Sequence, residues 1–254
     1  SNFQTVEVTR KMPEQLWFTA LLNRYFGGIA ASLLHMVGLQ PRYANAPITD
    51  PVAMEILVVL VLLLFFILVR ATLSVEKPGG LQHLVEATEE FIADQAHGVM
   101  GHGYERYIPY AVVLGYFILL GNLLGLVPGF ESPTANPTVP LGCALLTFIY
   151  YHYHGLRVHR HRYIKQFIGP VWALAPLMLL IEVVSHFARI LSLTVRLYAN
   201  MFAGDMVTLA FFSLVPVLVP VVFLGLHLFV SLVQTFIFVM LTLVYLGMAV
   251  SEEH

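Results

Sequence analysis

Residues 167–214 read FIGPVWALAPLMLLIEVVSHFARILSLTVRLYANMFAGDMVTLAFFSL, a run of 48 residues that holds only four Asp, Glu, Lys or Arg side chains. A helix of about 20 predominantly apolar residues is enough to cross a bilayer. This run would extend roughly 70 Å as one helix at about 1.5 Å per residue. It must therefore be strongly tilted, bent, or partly in the membrane plane. Pro216 and Pro220 mark a bend after it, and residues 217–250 form a second long apolar segment.

The whole chain agrees with that reading. Of its 254 residues, 58% are hydrophobic and 11% are charged. Soluble domains carry about a quarter charged residues. The chain is read as an all-α integral membrane protein with about five membrane crossings. The earlier spans fall near 52–69, 107–127 and 139–153, and the last two segments form a long tilted helical hairpin. Pro128 and Gly129 stop the second span, and Pro133, Pro137 and Pro140 mark a short turn into the third.

Residues 1–50 form a polar to amphipathic leader, distinct from a membrane domain over 51–254. Leu16 to Val37 could form a surface helix, broken at Gly27-Gly28 and ended by Pro41, Pro47 and Pro51. No short apolar core of signal-peptide type is seen near the start. The linker Glu76-Lys77-Pro78-Gly79-Gly80 separates the first span from an amphipathic helix over 81–97. There, Leu81, Leu84, Val85, Phe91 and Ile92 fall at helical spacing, against Glu86, Glu89, Glu90 and Asp94. It lies flat on the membrane surface or against a partner helix. Cys143, the single cysteine, sits in an apolar run and is read as a packing residue.

Orientation follows from Lys and Arg. Arg70, Lys77, Arg106 and the cluster Arg157, Arg160, Arg162 and Lys165 all fall on one side if the crossings alternate. That side is the cytoplasm or its equivalent. The N-terminus is then outside and the C-terminus inside. The pairs His152-x-His154 and His159-x-His161 invite a metal reading. Neighbouring arginines would repel a cation, so a charged juxtamembrane loop is preferred, with no metal and no cofactor expected. Net charge is −2, and no basic tract of nucleic-acid type appears outside that loop. Glu131, beside Pro133, reads as a solvated turn residue.

An ionisable side chain at membrane depth costs at least ~2.5–3.5 kcal/mol, and marks function by default. Glu182, His186, Arg189, Arg196, Asp205 and His227 are such groups, and the reading confines them to the last two segments. At the helical repeat, Glu182, Ser185, Arg189, Arg196 and Asn200 share one face. Asp205 falls on the opposite face, roughly 13.5 Å further along the axis than Arg196. His227, Ser231 and Gln234 share a face of the last segment. Asp205 is thus expected to turn toward His227. Arg196 is always charged. It cannot relay protons, but it can make a nearby carboxylic acid release one. Glu, Asp and His can carry protons. The pattern suggests two proton wires separated by a permanent cation. Two structural alternatives stay open. Arg189 could pair with Glu182 or Ser185, and Asn200 and Gln234 could simply join helices in lipid.

The stretch Leu193-Thr194-Val195-Arg196-Leu197-Tyr198-Ala199-Asn200-Met201-Phe202-Ala203-Gly204-Asp205 closely resembles the signature of the a-subunit family of F-type ATP synthases. His227 and Gln234 look like that family's final-helix polar pair, and Glu182 stands where bacterial members have a glutamate. Pro78 to Gln82 and Asn122 to Pro128 are similar in kind, as is the tail Ser251-Glu252-Glu253-His254. Three departures are modest: Tyr198 for phenylalanine, Ala199 for glycine, and Asp205 for the longer glutamate. Gly125 stands where many bacterial members carry an aspartate.

The resemblance implies a proton-translocating stator subunit without nucleotide chemistry. Its partners would be a ring of c subunits, peripheral-stalk b subunits, other ATP synthase subunits and membrane lipid. Arg196 would separate two half-channels against the c-ring. Asp205 and His227 would line the outer one, Glu182 and Ser185 the inner one, with Asn200 and Gln234 close to Arg196. A bacterial inner membrane is the expected location, with protons favoured over sodium as the coupling ion. The competing readings are a stand-alone proton-coupled transporter, which should show internal repeats, and an intramembrane enzyme, which should show a paired nucleophile or a metal triad.

Overall fold

A computed structural model describes residues 15–36, 38, 46–127, 129–160, 175–214 and 218–250. Several sequence expectations concern residues outside these. They are the start of the leader (1–14) with Val37 and Pro41, then Pro128, His161, Arg162, Lys165, the start of the long segment at Phe167, Pro216 and the tail from Ser251.

The described residues contain seven α-helices and no strands. They are α1 Trp17–Met36, α2 Asp50–Ala71, α3 Gly80–Met100, α4 Ile108–Leu124, α5 Thr138–His159, α6 Ala175–Leu214 and α7 Leu218–Val250. Three are long and apolar enough to cross a membrane, over Asp50–Ala71, Ala175–Phe211 and Val221–Val250, and α4 is a shorter apolar helix. The chain is an integral membrane protein.

Local chemistry sets several helix limits. Pro51 sits in the first turn of α2, where its missing N–H is no loss. The Asp50 carboxylate accepts a bond from the Leu16 N–H at 3.2 Å, tying α2 to the chain before α1. Gly101, at φ 68, takes a positive-φ backbone that glycine tolerates, and ends α3. One expectation fails here: α1 runs unbroken through Gly27-Gly28. Two glycines lower helix propensity but do not forbid a helix. Gly27 is buried against the Pro47 ring, which a β-carbon there would meet at 3.7 Å.

The core lies where α4, α5, α6 and α7 meet. Leu114, Ile118, Cys143, Ala144, Leu193, Leu197, Met201 and Phe238 form one buried cluster. Cys143 is a packing residue within it. The amphipathic helix α3 docks on α4 and α7 through Ile92 and Ala96, against Ile108, Ala111, Val112, Val239 and Leu243, while Leu81, Leu84 and Phe91 of its apolar stripe stay exposed. Its Glu86, Glu89, Glu90 and Asp94 are exposed.

α6 and α7 form an antiparallel hairpin. Arg189 lies over the Tyr245 ring, Asn200 meets Gln234, Met201 meets Ser231, and Asp205 faces His227. The partners step in opposite directions along the two helices. At one end, a buried polar knot joins the hairpin to α4 and the turn between α4 and α5. Asn122 is fully buried. Its amide N–H groups donate to the Ser231 carbonyl and the Thr235 hydroxyl, both at 3.4 Å. Its oxygen accepts from the Thr134 hydroxyl at 2.6 Å, and Thr134 bonds Ser132 at 2.8 Å. Buried polar groups that lose a partner bear their whole desolvation cost, about 1–3 kcal/mol. Asn122→Leu is therefore expected to destabilise the detergent-solubilised protein by about 1–3 kcal/mol in thermal unfolding. An unchanged melting temperature would show that the knot stabilises nothing.

Candidate functional site

The ionisable groups of α6 and α7 are distributed along the hairpin in three zones. The middle zone centres on Arg196. Its Nη2 donates to the Ser192 hydroxyl at 3.2 Å, one turn back on the same helix. No described carboxylate pairs with it. The guanidinium is half-exposed, at the edge of a face of α6 that the chain leaves open. Ala188, Ser192, Ala199 and Ala203 on that face are small and exposed. One turn beyond Arg196, the Asn200 amide donates to the Gln234 Oε1 at 2.9 Å. Gln234 is 2% exposed, so this bond fixes its orientation between the two helices.

A second zone, beyond Arg196 along α6, pairs Asp205 with His227. Their closest atoms, Oδ1 and Nδ1, are 3.7 Å apart. That is too long for a direct hydrogen bond, but close enough for strong attraction once the imidazole is protonated. His227 is 4% exposed, and its Nε2 is buried with no hydrogen-bond partner among the described residues. Gly204 makes this placement possible. A β-carbon on Gly204 would lie 2.8 Å from His227 Nδ1 and 3.0 Å from Cε1. Asp205 and His227 also line a cavity of about 330 Å³, with Ser132, Glu131, Gly125 and Thr208 among its other walls. Gly125 keeps one wall open, since a β-carbon there would reach 3.4 Å from Asp205 Oδ1 and press on Ser132 at 2.8 Å.

Glu131 is exposed, as a turn residue should be, but it is also part of this cavity wall. Its partial burial raises its carboxyl pKa above the ordinary value, and the nearby negative charge of Asp50 adds to the effect. The sequence offered no signal for this, because the turn between α4 and α5 brings Glu131 to α6 and α7 only in the fold.

The third zone, on the other side of Arg196, joins α6 to α5. Glu182 Oε1 lies 3.3 Å from His186 Nε2, and His186 Nδ1 lies 2.9 Å from the Tyr151 hydroxyl. Ser185 is half-buried beside them, on the neighbouring face of α6. Arg189 stacks over Tyr245 at 5.0 Å rather than pairing with Glu182. His186 was visible as an intramembrane ionisable residue. Tyr151 was hidden in an aromatic and histidine-rich run. One further group went unnoticed in sequence: Glu55, half-buried in the second turn of α2. Ionisable residues inside spans are therefore not confined to the last two segments. Near a helix N-terminus, a carboxylate is favoured by the helix dipole.

Among the described residues, His152 and His154 do not converge. His154 packs on Tyr107 and Tyr150, with ring centroids 5.0 and 4.5 Å away. His152 bonds the Phe148 carbonyl at 3.0 Å and stands near His186 instead. Two residues apart on a helix, they point to different neighbours.

The Gly204 contact can be tested by a double-mutant cycle. Gly204→Ala and His227→Ala should be non-additive by about 0.5–3 kcal/mol in thermal unfolding, because the alanine at 204 clashes only while the imidazole is present. Additive effects would show that the two residues do not touch.

Comparison with known proteins adds a separate line of support. The family model described as ATP synthase A chain matches residues 52–247. The chain is 58% identical to the ATP synthase subunit a of Koribacter versatilis (strain Ellin345), over 96% of this chain and 100% of that protein. It is 44% identical to the ATP synthase subunit a of Solibacter usitatus (strain Ellin6076), over 92% of this chain and 100% of that protein. The subunit a of Geotalea uraniireducens (strain Rf4) is 38% identical over 85% of this chain and 94% of its own length. With a family match across most of its length and relatives this similar end to end, the chain belongs to the ATP synthase A chain family.

Proposed function

We propose that this chain is the proton-conducting stator subunit of a rotary F-type ATP synthase, and that it carries out no nucleotide chemistry itself. The observation that carries this reading is Arg196: a permanent cation on a membrane helix, half-exposed, with no described carboxylate partner. Such a charge in lipid is costly unless something offsets it. A carboxylate on a neighbouring rotating ring of c subunits would do so. The exposed small residues Ala188, Ser192, Ala199 and Ala203 would let a ring helix approach closely.

The zones on either side then act as half-channels. Asp205, His227 and the adjoining cavity form the outer one, and Glu182 and Ser185 the inner one. Along α6, Arg196 lies between them, roughly 13.5 Å from Asp205 and roughly 21 Å from Glu182. A ring carboxylate protonated from one path turns through the lipid and reaches the other. There Arg196 favours its ionised form and drives release. Because the guanidinium does not deprotonate, protons cannot pass directly from one path to the other through it. Asn200 and Gln234 hold the two helices in register beside it.

The other elements of the reading follow. Peripheral-stalk b subunits hold the chain still against the ring. The Lys and Arg bias supports an outside N-terminus and a cytoplasmic C-terminus. A bacterial inner membrane is the location, and the proton is the coupling ion.

Arg196→Ala tests the reading in inverted membrane vesicles. With assembly verified, ATP-driven acidification should fall by about 100-fold or more, the scale seen when a charge-stabilising donor is removed. Normal pumping by an assembled complex would refute the role of Arg196.

A further inference from the structure

We infer that His186 is a proton-exchanging residue of the inner path, held in its working tautomer by Tyr151 and set against Glu182. This deepens the half-channel reading above and rests on it. The geometry joins two helices. Glu182 and His186 lie one turn apart on α6, with Oε1 and Nε2 at 3.3 Å. Tyr151 comes from α5, and its hydroxyl is 2.9 Å from His186 Nδ1. All three lie on the side of Arg196 that faces away from Asp205 and His227.

The helical repeat explains why the imidazole is needed. Counted from Arg196 at about 100° per residue, Ser185 and Arg189 stay within about 20° of it, while Glu182 is turned by about 40° and His186 by about 80°. His186 thus leads the polar stripe sideways, out of the open face of α6 and into the groove against α5. There it is buried, 8% exposed, and Tyr151 is 2% exposed. A buried imidazole in a membrane helix is a costly packing residue. It is better explained by its two nitrogens, one of which can be fixed while the other takes up a proton.

The hydrogen bond to Tyr151 fits those roles in the Nδ1–H tautomer. With the Tyr151 oxygen accepting from Nδ1–H, the Nε2 lone pair points at Glu182. A proton on the Glu182 carboxyl passes to Nε2, leaving a carboxylate and an imidazolium. The imidazolium then returns that proton from Nε2 to water on the inner side, restoring the neutral ring. One proton moves, and the Nδ1–H bond to Tyr151 is unchanged throughout. Among the described residues, the other titratable or charged groups facing the ring are His152 on α5, whose ring centroid is 4.7 Å away, and Arg189, one turn further along α6 and stacked on Tyr245 of α7. The permanent charge of Arg189 works against a long-lived imidazolium, which favours fast return of the proton.

The test uses the whole ATP synthase in inverted vesicles, with assembly verified and ATP-driven acidification measured with and without added imidazole. Every rate is taken relative to the parent under the same conditions. His186→Ala should lower pumping by about tenfold or more, and imidazole should restore a substantial part of it. Tyr151→Phe should lower pumping several-fold, with no rescue, since its ring at 186 is still present. A His186→Ala complex that pumps at the parent rate, or one that is impaired but gains nothing from imidazole, overturns the inference. If His186→Ala does not assemble, His186→Gln replaces it. Gln keeps a polar bond to Tyr151 but cannot take up a proton, so an assembled His186→Gln that pumps normally also overturns the inference. Arg196→Ala in the same assay separates the two ideas. If it abolishes pumping while His186→Ala does not, only the exchange role fails. If both pump normally, the half-channel reading fails with it.

Discussion

A charge that cannot be neutralised must be answered by another charge or by water, and the membrane supplies neither cheaply. Arg196 is that charge here. Its own chain offers it a serine hydroxyl one turn away and no described carboxylate. The rest of the hairpin follows from keeping it so. The carboxylates that could neutralise it, Glu182 and Asp205, lie about four and about two and a half turns away along the same helix, and each faces a histidine. A nearer carboxylate would close an internal ion pair and leave nothing for a partner to use.

The scaffold serves this separation through contacts that are mostly small. Gly204 lets the His227 ring lie against α6, so that Asp205 and the imidazole meet without a bulge between the helices. The bond from Asn200 to Gln234 sets the register of α6 on α7 next to Arg196. The Asn122 knot fastens the outer turn, and with it Ser132 and Glu131, to the end of the hairpin where the cavity opens. Beneath them, the cluster around Leu197 and Phe238 is ordinary close packing. The polar features sit on an apolar frame that has little freedom to shift.

Much of this was legible in the amino-acid order. The long apolar runs announced membrane helices. The spacing of Glu182, Arg196 and Asn200 gave one face, and the nine residues to Asp205 turned it toward His227, where the structure has it. Other parts were not legible, for physical reasons. The apolar stripe of α3 could not say what it packs on, and α4 and α7 answered that only in three dimensions. Gly27-Gly28 looked like a break because propensity disfavours glycine in helices, yet α1 runs through both, since glycine lowers helix propensity without forbidding the helix. Glu55 was passed over because it lies near the end of a span rather than amid the clustered charges. Tyr151 and Glu131 reach their neighbours through long-range contacts between helices, and no local pattern encodes those.

The central claim is that the open face of α6 beside Arg196 meets a carboxylate-bearing helix of the ring. Disulfide cross-linking in the assembled complex tests it most directly. With Cys143 replaced by serine, cysteine is placed at Ser192 or Ala199 on that face, and a second cysteine one turn from the ring carboxylate of the c subunit. The account predicts a cross-link from both positions, and none from a cysteine at Val59 on the exposed side of α2. Cross-linking from α2 with none from α6 would contradict it.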